Sequence, residues 1–230
     1  MRLLRDATGR FPERPYYECA ELNELCEHIV ESFLTRKYGS PAYPIKTDDL
    51  ELLLEHEDVV LDPYSDLNQY GADTEGASVF APDAPTRVYV SRALSQDSRR
   101  ENRYRSTLAH EFGHVRLHGP LFRAVRTGDL FEAPDVSRAA TCKRQRIERA
   151  PASDWLEWQA GFASGALLMP HSAVRQQAAM LLQTTPSPES AGAQALIEHV
   201  AQTFHVSRSA AHVRLQQLAL IQPAKTPTLL

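Results

Sequence analysis

Cysteine is scarce in this chain: Cys19, Cys26 and Cys142 are the only three in 230 residues. An odd, sparse set argues against a disulfide framework and agrees with a reducing compartment. There is no run of about 18 apolar residues, so nothing reads as a membrane-spanning helix. The N-terminus turns polar at Arg2 and Arg5-Asp6 and carries no apolar signal core, which makes the cytoplasm the expected compartment. Neither sign of charge predominates, with 25 Lys and Arg against 29 Asp and Glu. A net charge of −4 supplies no global basic field for nucleic acid. What remains is an ordinary soluble composition, 43% hydrophobic and 23% charged, in a chain long enough to bury a proper core.

Apolar spacing and punctuation divide the chain. Residues 1–15 are polar, interrupted by Gly9 and Pro12, and read as a flexible arm. A helix is expected over 15–37, closed by Gly39, with Cys19 and Cys26 on one buried side. Thr47-Asp48-Asp49 opens a second, short helix. Val59-Val60-Leu61, Ala77–Phe80 and Arg87–Ser91 read as strands of a small antiparallel sheet, with 63–76 as loop. Ser98 and Glu101 fit a capping box that opens a long helix, which Gly119-Pro120 should end. Residues 120–153 form a long connection, of the kind that is usually functional. Helices follow at 155–169 and about 172–183. Residues 189–222 resemble a helix-turn-helix, and 223–230 form a tail.

The long helix carries His110-Glu111-Phe112-Gly113-His114. Residues four apart on a helix project from one face, so both imidazoles can take a single Zn²⁺. Glu111 is beside the first ligand, placed to act as base on a metal-activated water. A catalytic zinc usually has three protein ligands and one open position. His118 lies two turns along the same helix, about 12 Å of rise from His110, too far to join both partners. The metzincin pattern is excluded because Leu117 and Pro120 stand where it needs glycine and histidine. Glu157, one turn into the 155–169 helix, fits as the third ligand.

Thr107–His118, together with Glu157-Trp158-Gln159-Ala160-Gly161-Phe162-Ala163 and Leu167-Leu168-Met169-Pro170, resembles the ImmA/IrrE family of zinc metallopeptidases. That family pairs a His-Glu-x-x-His helix with a second helix bearing a glutamate and ending in Leu-Leu-Met-Pro. The resemblance covers most of 16–222 and departs at Gly161, where the family usually has asparagine. It implies His110, His114 and Glu157 as zinc ligands, Glu111 as the catalytic base, and an α+β, mostly helical zincin-like domain over 16–183. It further implies a cytoplasmic regulatory protease that cleaves a helix-turn-helix repressor in a stress or mobile-element response. The competing class is a non-catalytic zinc-binding regulator or antitoxin-type protein that binds a partner protein or DNA.

Three further expectations come from the residues. Cys142, among Arg138, Lys143, Arg144, Arg146 and Arg149, is a candidate inhibitory zinc ligand, because cationic neighbours favour thiolate; a packed or exposed thiol without a role is the simpler reading. Arg87–Ser91 is a candidate edge for pairing with an extended substrate. In the tail, Arg208, Arg214, His205 and His212 could approach phosphate, whereas packing of the helical pair on the catalytic domain is the favoured reading.

Overall fold

The computed structural model describes residues 1–71, 73–80, 84–124, 139–143, 154–184 and 191–222. It shows a mostly helical α+β fold. Among the described residues no helix is long and apolar enough to cross a membrane.

The chain opens with a hairpin, β1 (Arg2–Arg5) paired antiparallel with β2 (Glu13–Tyr16), where a flexible arm is expected. Its turn is organised by Asp6, whose carboxylate accepts hydrogen bonds from the Thr8 and Phe11 amides and the Thr8 hydroxyl. Asp6 also accepts from Trp155 Nε1 at 3.1 Å. Phe11 is buried, with its ring edge-on to Phe122 at 5.1 Å and to Trp155 at 6.1 Å. A polar arm is therefore pinned by contacts that local sequence pattern does not encode.

Because Pro15 belongs to β2, helix α1 begins later than expected and spans Cys19–Tyr38. Glu18 and Glu21 form its capping box, and Gly39 closes it in the left-handed region at φ 82°. Cys26 is buried as expected, but Cys19 is exposed, because it is the first residue of the helix and lies beyond the packed stripe. Helix α2 covers Thr47–Glu55.

The sheet has the strand order β3 (Val59–Ser65), β5 (Thr86–Ser91), β4 (Thr74–Val79), β6 (Ala139–Lys143). It is mixed, which corrects the antiparallel expectation. β5 turns back from β4 and inserts between it and β3, so β3 and β5 run parallel, while β4 is antiparallel to β5 and β6. Both sides of β5 are consequently hydrogen-bonded, and Arg87–Ser91 offers no free edge to a substrate.

A short helix α3 (Arg92–Ser95) leads to a 3₁₀ turn at Ser98–Arg100, capped by the Asp97 side chain accepting from the Arg99 amide rather than by Ser98. Helix α4 then runs over Glu101–Ala124, straight through the expected stop at Gly119-Pro120. Proline removes one N–H and so frees the carbonyl four residues earlier, that of Arg116. Arg116 and Pro120 share an exposed face, where water can satisfy that carbonyl.

Helix α5 (Trp155–Leu168) is buried on almost every side and ends before Pro170. Its crossing of α4 is close because of Gly113, where a Cβ would lie 3.0 Å from Ala160 Cα and 3.2 Å from its carbonyl oxygen. Helices α6 (His171–Thr184), α7 (Ala191–Phe204) and α8 (Arg208–Gln217) complete the described chain. Ser207 caps α8 by accepting from the Ala210 amide.

The C-terminal pair packs on the rest of the molecule. Val200, Phe204, Ala211 and Leu215 join Leu22, Val88, Leu108 and Leu167 in one core. Arg214 is buried and donates Nε to the Met169 carbonyl at 2.9 Å, so this cation is not presented to phosphate.

Candidate active site

Helix α4 aligns His110, Glu111 and His114 against α5, which supplies Glu157. His110, Glu111 and His114 are fully buried and Glu157 is 5% exposed. His110 Nε2 and His114 Nε2 are 3.0 Å apart. Glu157 Oε2 lies 3.3 Å from His110 Nε2, and Glu157 Oε1 lies 3.2 Å from His114 Nε2. The three side chains form a cluster able to hold a metal ion.

The donor set fits zinc. Tetrahedral bonds to nitrogen and oxygen of about 2.0–2.1 Å require donors separated by about 3.3 Å, close to the spacings found. The two facing Nε2 atoms can share at most one proton, and Glu157 Oε2 has no hydrogen-bond donor among the described residues. A buried cation resolves that concentration of lone pairs. Electrostatics point the same way. Burial disfavours charge on every member, yet His114 and His110 hold the Glu157 carboxyl well below the usual carboxylate range. Burial pushes the His114 pKa down, but Glu157 more than offsets this and raises it. His110 is lowered, chiefly by burial.

Glu111 is outside this cluster, on the sheet side of α4. Its Oε2 accepts a 2.6 Å hydrogen bond from Ser78 Oγ on β4, and its Oε1 has no hydrogen-bond donor among the described residues. Burial pushes its pKa up to about 7, against the opposing effects of His114 and the Ser78 hydroxyl. The approach of β4 depends on Gly76, where any Cβ would overlap Glu111 Oε1.

His118 is outside the three-donor cluster, in accord with the helical-rise argument. Its Nδ1 lies 3.1 Å from His114 Nδ1, and its Nε2 lies 3.1 Å from Gln159 Oε1. Sequence reasoning missed Ser78, Gly76 and Gln159. Gly76, expected at the end of the 63–76 loop, lies inside β4, where an isolated glycine often marks a close approach of another group. Gly161, the departure from the family pattern, lies on the same helix as Glu157. Cys142 sits on β6 opposite Gly76 in register, but its side chain, and so its expected inhibitory contact, lies outside the described residues.

Residues 93–216 match the IrrE N-terminal-like domain, a peptidase family. The chain belongs to the IrrE N-terminal-like peptidases. The match spans α4, α5 and the C-terminal helical pair, hence all three clustered donors and Glu111. No curated protein matches this sequence. Membership supports a metallopeptidase-type function and a protein substrate for this IrrE-like peptidase.

Proposed function

We propose that this IrrE-like peptidase is a zinc-dependent endopeptidase in which His110, His114 and Glu157 hold the metal and Glu111 is the catalytic base. The observation that carries this reading is the juxtaposition of a buried three-donor cluster with a separate carboxylate one residue away, itself fixed through one oxygen only. Zinc in such a site acts as a Lewis acid, polarising a peptide carbonyl and allowing water to act as nucleophile near neutral pH.

The chain's own residues do the rest. The Ser78 hydroxyl holds Glu111 Oε2, which leaves Oε1 to accept a proton from the attacking water and return it to the leaving amine. Burial raises the Glu111 carboxyl above its ordinary value, which favours its taking up a proton. The substrate, in keeping with the resemblance, is a helix-turn-helix repressor cleaved in a regulatory response.

Glu111→Gln tests the assignment. The amide keeps size and contacts but cannot act as base, so the variant should bind one zinc per chain and cleave a helix-turn-helix repressor substrate at least 10²-fold more slowly. Cleavage by the wild type must also stop on chelation. Undiminished cleavage by Glu111→Gln would remove Glu111 from the mechanism. A stable, uncleaved complex between zinc-loaded wild type and the repressor would favour a non-catalytic binding module.

A further inference from the structure

A line of hydrogen bonds runs from the N-terminal hairpin to the metal cluster. Gln159 Nε2 donates to the Pro15 carbonyl on β2 at 2.8 Å. Gln159 Oε1 lies 3.1 Å from His118 Nε2, and His118 Nδ1 lies 3.1 Å from His114 Nδ1. His114 Nε2 then faces His110 and Glu157.

The proton positions along this line follow from its first member. A backbone carbonyl can only accept, so the Gln159 amide nitrogen must face Pro15, and its oxygen must face His118. That oxygen can only accept, so His118 Nε2 carries a proton. A fully buried imidazole bonded to a neutral amide favours its uncharged form, with one proton and a bare Nδ1. The bridge between the two Nδ1 atoms needs a donor, and His114 must provide it. His114 is therefore protonated at Nδ1, which leaves Nε2 as the ring nitrogen that faces the cluster.

We propose that Gln159 and His118 are positioning residues that transmit the polarity of the Pro15 carbonyl to His114, fixing the tautomer in which Nε2 is the metal-binding atom. Metal-ligating histidines usually direct the second ring N–H at a carboxylate, a carbonyl or water. Here a second, neutral histidine takes that place, and the edge of Trp155 braces its ring at 5.5 Å and 88°. The hairpin is then part of the metal site, although it contributes no ligand. This inference rests on the assignment of His114 as a zinc ligand.

Nitrogen-15-resolved histidine spectra of the full chain, recorded without added metal at pH 8, test the relay directly. His118 should be protonated at Nε2 and bare at Nδ1. His114 should be protonated at Nδ1, with a scalar coupling between the two Nδ1 nitrogens. A proton on His118 Nδ1 would overturn the proposal. Zinc titrations of Gln159→Leu and His118→Phe should show affinity reduced about 10–100-fold with all three ligands still present, and wild-type affinity in both would also overturn it. If either variant fails to fold, the wild-type spectra decide alone. Wild-type protein that shows the stated tautomers yet binds no zinc would uphold the relay and defeat the metal assignment, so the two readings fail separately.

Discussion

Gly76 and Glu111 are in direct contact across the sheet–helix interface: a Cβ on Gly76 would overlap Glu111 Oε1 and lie 2.8 Å from Thr107 Cγ2. The Glu111 carboxylate is thus held between a hydroxyl that fixes one oxygen and a backbone that crowds the other. Gly76→Ala should displace the Glu111 carboxylate while leaving His110, His114 and Glu157 in place. The expected result is normal zinc stoichiometry with cleavage slowed about 10²-fold, since general-base catalysis contributes on the order of 10²–10⁴. The extra methyl should also cost about 1–3 kcal/mol of stability. Zinc content and cleavage rate measured on one preparation check this, and cleavage at the wild-type rate would show that the contact does not position the base.

The three-donor cluster was legible in the sequence because two local regularities encode it. Helical periodicity puts His110 and His114 on one face, and the helix expected at 155–169, recognisable by its apolar run and Pro170, carries Glu157 in its first turn. Partnering was not legible. Alternation marks Thr86–Ser91 as a strand, but says nothing about β3 lying parallel on its far side. The hairpin at Arg2–Tyr16 has too few residues for periodicity to show, and its turn is fixed by Trp155, at the far end of a long chain separation. Gln159 looks like any polar residue on a buried helix until Pro15 and His118 are brought to its two ends.

Asp6 gives this anchoring a pH dependence. Burial by itself would raise the Asp6 pKa, but hydrogen bonds from Thr8, Phe11 and Trp155 outweigh it and hold the group below its ordinary value of 3.8. A carboxyl whose pKa is lower in the folded state stabilises the fold above its unfolded value, and that contribution disappears as pH falls through the lower, folded value. Wild type should therefore exceed Asp6→Ala in unfolding free energy by about 1–3 kcal/mol at pH 6–7, with the gap narrowing only below about pH 4. Urea unfolding of both proteins at pH 7, 5 and 3 measures this. A gap that is constant from pH 7 to pH 3 would mean that Asp6 acts without its charge.

Arg105 decides whether the C-terminal helical pair is a separate unit. It is buried, and its guanidinium donates Nη1 to the Ile45 carbonyl at 2.7 Å, Nε to that of His205 at 3.1 Å and Nη2 to that of Phe204 at 3.3 Å. One side chain on α4 thereby satisfies carbonyls at the turn between α7 and α8 and ahead of α2. Leucine at this position would leave the three carbonyls without that donor, and each buried group left unsatisfied costs about 1–3 kcal/mol. The loss of a desolvated charge offsets part of this, so Arg105→Leu should destabilise the protein by about 3 kcal/mol. Because Phe204 and Leu215 share the core with Leu108 and Leu167, unfolding should remain a single cooperative transition, shifted to lower urea. Two resolved transitions, with only the first moved, would show the pair to be an autonomous module and would restore its candidacy as a DNA-binding element.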